Sequence, residues 1–89
     1  SMTKQEQARV LEELLSSNGW GIIQSKMNEE ILSAAYQLSE NKGMTVDEIH
    51  FRRGAMWAAR RMLELPTNMK MLIDNELLMD AAVEAEKPN

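Results

Sequence analysis

Apolar residues at Ile23, Met27, Ile31, Ala34 and Leu38 recur at intervals of three and four, and Asn41-Lys42-Gly43 follows the last of them. Only a helix brings that spacing onto one face, and only a turn suits the three residues after it. A new start comes at once. Thr45 stands three residues before Glu48, the spacing in which each side chain can satisfy a free backbone N–H, and Met44 and Ile49 flank the pair as a hydrophobic staple. Two helices joined by so short a turn must pack antiparallel, so the centre of the chain is predicted to be a helical hairpin over 21–41 and 46–65.

The flanks read the same way. Thr3 and Glu6 repeat the capping spacing, and Val10, Leu11, Leu14 and Leu15 give a first helix over 3–17 one apolar stripe. Asn18-Gly19, a pair that tolerates left-handed geometry, is expected to stop it. Pro66 cannot donate the next backbone bond and is expected to end the third helix, while Thr67 caps a fourth over 68–84. Met69, Leu72, Ile73, Leu77, Leu78, Met79, Ala82 and Val83 cover more than one side of that fourth helix. A helix apolar on several sides is buried on several sides, which in 89 residues implies other chains. The expected fold is therefore all-α, one domain over 1–89: an antiparallel hairpin flanked by N- and C-terminal helices, assembling as a helical-bundle homo-oligomer. Leu72, Leu78 and Met79 are the expected interface residues.

The third helix carries the strongest chemical signal, in the run HFRRGAMWAARR from His50 to Arg61. At 100° per residue, Ile49, Met56, Ala59 and Leu63 form its core stripe, widened by Ala55 and Met62. Arg53, Trp57, Arg60 and Arg61 gather on the other side, with the arginines at contact spacing from the indole. Three readings fit this patch. It is a solvated face whose arginine stems cover the tryptophan, a protein-binding patch, or a set of phosphate contacts with a stacking platform. The net charge of −4 and the absence of a nucleic-acid motif weigh against phosphate.

Arg52 falls on the core stripe, where a guanidinium must be paired. Glu48 precedes it by four residues in the favourable order, so a structural Glu48–Arg52 pair is expected, with Glu29, Glu30, Ser33 or Tyr36 of the preceding helix at about the same level. Gly54 and Ala58, one turn apart, either admit a close neighbour helix or are merely tolerated. Trp20, between two glycines, is expected to pack over the entrance to the hairpin.

Several chemistries are excluded or disfavoured. Cysteine is absent, so there is no disulfide, thiolate nucleophile or zinc–thiolate site, in keeping with a cytoplasmic setting. His50 is the single histidine, and Glu12-Glu13 and Glu29-Glu30 point about 100° apart on their helices rather than into a shared site. No phosphate-cradling loop is present. The expectation is a non-enzymatic chain without cofactor or metal. No apolar run approaches the roughly 20 residues of a membrane span, no signal-peptide pattern appears, and an acidic C-terminal segment suits anionic lipid poorly. Ser1 ahead of Met2 reads as a remnant of tag removal.

The segment EIHFRRGAMWAARRMLELP, from Glu48 to Pro66, resembles a pattern in small helical proteins of tailed bacteriophages. In those proteins an aromatic-Arg-Arg-Gly element, an alanine-rich helix and a Leu-Pro follow a tryptophan near a helix start, here Trp20. The resemblance spans about Leu14 to Pro66 and leaves out the C-terminal residues. It implies an accessory or virion-assembly protein, placed in the host cytoplasm or the virion, and it assigns no site residue.

Overall fold

The computed structural model describes all 89 residues, and every regular element in it is helical. Helix α1 is Lys4–Leu15, α2 is Asn18–Glu40 and α3 is Val46–Glu86. The threonine caps form as the sequence requires: Thr3 and Thr45 Oγ1 each accept a bond of 3.1 Å, from the N–H of Glu6 and of Glu48. The reciprocal half of the box is not made at Glu48, whose carboxylate turns to Arg52 instead.

Three boundaries differ from expectation. Asn18 and Gly19 do not stop α1 but lie in the first turn of α2, because Ser17 is the better N-cap and accepts from the N–H of Trp20 at 3.1 Å. No residue has positive φ, glycines included, so neither turn uses a left-handed cap. After α2 the chain reverses through Asn41, whose Oδ1 accepts from the N–H of Gly43 at 2.9 Å.

The largest difference is at Pro66. The expected helices over 46–65 and 68–84 are one helix of 41 residues, with Pro66 inside it and Thr67 in mid-helix rather than at a cap. The proline leaves the carbonyl of Met62 without its usual donor. Packing on both sides of that break outweighs the local penalty. The inward residues Arg52, Met56, Ala59, Leu63, Pro66, Lys70, Ile73 and Leu77 keep strict four-three spacing straight through residue 66, and all are buried or half-buried. That is the spacing of a coiled-coil seam.

Against this seam α2 lines the first half of α3, and α1 continues along the second half. Arg52 reaches Gln37, while Gln24 and Asn28 share a groove with Arg60 and Leu63, so α2 runs antiparallel to α3. Lys4 binds Asp80 at 2.8 Å and Glu76 at 3.4 Å, and Lys70 lies 3.6 Å from Glu12, so α1 is antiparallel as well. The result is a rod two helices thick, 71 × 29 × 21 Å, with a radius of gyration of 19.5 Å. A compact chain of this length would have about 12 Å.

Replacing Pro66 with Ala restores the missing donor and a better helix former. The full difference in helix propensity is about 3 kcal/mol, reduced by the extra freedom alanine gives the unfolded chain. Urea unfolding of Pro66→Ala is expected to show a gain of about 1–3 kcal/mol. A loss would mean that the ring's packing in the seam is worth more than the bond it removes.

The two lysines that tie α1 to α3 have pKa values raised above 10.5 by hydrogen bonds to carboxylates, Lys4 chiefly by Asp80 and Lys70 chiefly by Asp74. A raised folded pKa stabilises fully below the unfolded value and is lost as pH climbs through the folded one. The Lys4 contacts to Asp80 and Glu76, the part of this that joins α1 to α3, are therefore expected to persist up to pH 10.5 and to weaken above it, as a small loss of stability in urea unfolding followed against pH. The Lys4→Met variant should lack that pH-dependent loss.

Candidate functional site

Only one residue of 89, Leu63, is buried, while eighteen large hydrophobic side chains are exposed. The accessible surface is 7285 Å². A folded monomer of 10.2 kDa exposes about 5,300 Å². The surplus, of order 2,000 Å², exceeds what one partner contributes to a standard protein–protein interface, about 800 Å². The apolar surface is also ordered.

On α3 a second set of residues repeats the four-three spacing of the inward seam, displaced by one residue and so by about 100° around the helix. It runs Phe51, Ala55, Ala58, Met62, Leu65, Met69, Leu72, Glu76, Met79 and Val83. Nine of the ten are apolar, and Phe51, Met62, Leu72, Met79 and Val83 are each more than half exposed. Ala55 and Met62, expected to widen the core stripe, belong to this outer seam instead, with Met62 64% exposed. Two apolar troughs open beside it. One is floored by Met27, Ile31, Ala34 and Met56 between α2 and α3, and the other by Val10, Leu11 and Ile73 between α1 and α3. The opposite side of the rod carries the polar grooves, lined by Gln24, Asn28, Arg60, Glu64 and Asn68 and by Glu12, Thr67, Lys70, Asp74 and Asn75, with Trp57, Met71 and Leu78 as isolated exposed apolar residues.

Of the three expected interface residues, Leu72 and Met79 lie on the outer seam. Leu78, 70% exposed, lies just off it on the far side. The arginine–tryptophan patch falls on the polar flank. Arg61 sits over the Trp57 ring at 5.9 Å, and Trp57 is two-thirds exposed. Arg53, Arg60 and Arg61 form no ion pair, so their charge faces water. Arg52 is bound to Glu48 at 2.9 and 3.2 Å and reaches Gln37 at 3.3 Å; the neighbour across the helices is thus Gln37, not Glu29, Glu30, Ser33 or Tyr36. A side chain about one-third exposed makes this a registering contact worth about 1 kcal/mol or less.

Gly54 has open space where a side chain would stand, so no helix of the same chain approaches it. Trp20 lies at the joint between α1 and α2, half-buried, with an enclosed Nε1 that has no acceptor. No three His, Asp or Glu side chains converge as metal ligands, and no helix is long and apolar enough to cross a membrane. The outer seam is hidden in the sequence because, over residues 49–63, two narrow stripes one residue apart look like one broad stripe.

Comparison with protein-family profiles, with curated proteins and with solved structures finds no match.

Proposed function

We propose that this chain is a non-enzymatic assembly module, a helical hairpin whose first arm is broken into α1 and α2, that works as a homo-oligomer and takes part in building a larger protein complex. One observation carries the reading. A chain with a single buried residue nevertheless sets seven of its eighteen exposed large hydrophobic side chains, from Phe51 to Val83, in one continuous seam along α3. Scattered exposed hydrophobics are ordinary, but a contiguous face with coiled-coil spacing is a surface for another helix. The resemblance of Glu48–Pro66 to tailed-phage proteins supports virion assembly as the setting, in the host cytoplasm or the particle. In that setting Arg53, Trp57, Arg60 and Arg61 form a second contact patch, on the flank of α3 with Arg61 bordering the seam.

A nucleic-acid accessory role is the second reading, favoured by one fact: three arginines without ion pairs surround an exposed indole. Light scattering after size exclusion, at low and high salt and with a mixed DNA and RNA pool, separates the two. An apolar interface keeps its mass in high salt, whereas phosphate contacts are lost steeply through counterion release. The expected result is a salt-resistant oligomer that ignores nucleic acid. A monomeric mass at all concentrations would overturn the assembly reading. Mass gained with nucleic acid, and lost in the Arg53→Ala, Arg60→Ala, Arg61→Ala variant, would establish the second.

A further inference from the structure

We propose that the outer seam of α3 is closed by α3 of a second copy running antiparallel, about a two-fold axis at the level of Thr67. This rests on the assembly reading above and adds the occupant and its direction. Three properties of the seam select this arrangement over the parallel one.

The first is volume. The seam runs from Phe51 to Val83, so its midpoint is residue 67. Antiparallel pairing about that point sets Phe51 against Val83, Ala55 against Met79 and Met62 against Leu72, small beside long at the second of these. Parallel pairing in register sets Ala55 on Ala55 and Ala58 on Ala58, which leaves a gap at two successive layers, and voids in a seam forfeit contact energy.

The second is the one charge in the seam. In the parallel arrangement Glu76 meets its own copy, a like-charge pair inside an apolar strip. In the antiparallel arrangement it meets Ala58, where there is room for it, within a turn of Arg61, which has no carboxylate partner in its own chain. Lys4, 3.4 Å from Glu76 in the same chain, completes the neutralisation.

The third is the charge of the whole rod. The half built of residues 18–65 holds six basic and six acidic residues, and from Ile49 to Leu63 α3 has four arginines and no acid. The other half, residues 1–17 and 66–89, holds four basic and eight acidic residues, so the entire net charge of −4 sits there. Parallel chains place the two acidic halves side by side. Antiparallel chains place each against the arginines of the other, and such complementarity sets orientation.

The chain has no cysteine, so single labelling sites can be introduced cleanly. Lys42→Cys and Asn75→Cys, both at exposed positions, carry nitroxide labels for electron–electron distance measurement in the assembled full chain. With a 1.5 Å rise per residue, antiparallel pairing puts the two labels at residue 42 about 60 Å apart and those at residue 75 roughly 25–35 Å apart. That pair of distances is the expected result. Short distances at both positions mean parallel chains, and long distances at both mean a two-fold axis at another height; either overturns the proposed pairing while leaving assembly standing, and the pairing through this face is checked by Leu72→Asp against Leu78→Asp. A monomeric mass, with no inter-label distance at either position, overturns the assembly reading itself.

Discussion

Leu72→Asp is expected to reduce the oligomer to single chains and to take much of the helical signal with it. Leu72 stands on the outer seam and is 63% exposed in the single chain, so in the proposed pair its further burial comes from the neighbour. Removing it forfeits about 1.5–3 kcal/mol of apolar burial. The carboxylate adds the cost of desolvating a charge, and in a symmetric pair both changes occur twice. Association should weaken by more than about 100-fold, since each 1.4 kcal/mol is tenfold. Leu78→Asp is the control, because it makes the same chemical change one residue off the seam. It should leave mass and helicity nearly unchanged. Light scattering and circular dichroism over a concentration series check both. Equal sensitivity at the two positions would mean the interface is the polar flank of α3, not the seam. In the proposed pair folding and association are coupled, so the melting temperature should rise with concentration.

The second large effect is at Leu63. It is the one buried side chain of the monomer, on α3 at the level where Gln24 and Asn28 of α2 face it. Leu63→Ala removes a packed methyl cluster, which costs 2–5 kcal/mol in closed cores. The surroundings here are half-open and able to relax, so about 2–3 kcal/mol is expected. Chains of this length have only some 4–13 kcal/mol of total stability. Urea unfolding at fixed concentration measures it. A change below 1 kcal/mol would place the main source of stability between chains rather than within them.

Much of this was legible in the residues. Thr3 and Thr45 cap where their spacing to Glu6 and Glu48 requires, and Arg52 pairs with Glu48. The grouping of Arg53, Trp57, Arg60 and Arg61 on one outward side follows from helix geometry alone. What local rules missed was long-range. Proline ends helices when nothing opposes it, yet the spacing 59, 63, 66, 70, 73 passes through Pro66 without a phase change, and so does 58, 62, 65, 69, 72 in the outer seam. Two independent helices have no reason to share phase. That continuity was the signal for one helix, and it outranks the single residue. Asn18-Gly19 misleads for the converse reason: Ser17, beside it, supplies a cap that makes a left-handed turn unnecessary. No local signal of that kind exposes the outer seam, since one helix with two adjacent stripes looks like one helix with a wide stripe until the partner helices show which half they cover.

The position of the proline has a mechanical consequence. Thr67, beside Pro66, shares one groove with Leu15 of α1 and another with Gln24 of α2, so the gap between those helices at Ser16 and Ser17 lies at the same height. One arm lacks a backbone bond there and the other lacks a helix altogether, and the enclosed, unpaired Trp20 N–H lies at the same joint. A beam notched on both sides at one cross-section flexes at that cross-section. Lys4–Leu15 with the end of α3, and α2 with its beginning, are the two stiff segments on either side of it, so bending load applied to the rod is expected to be taken up at its midpoint.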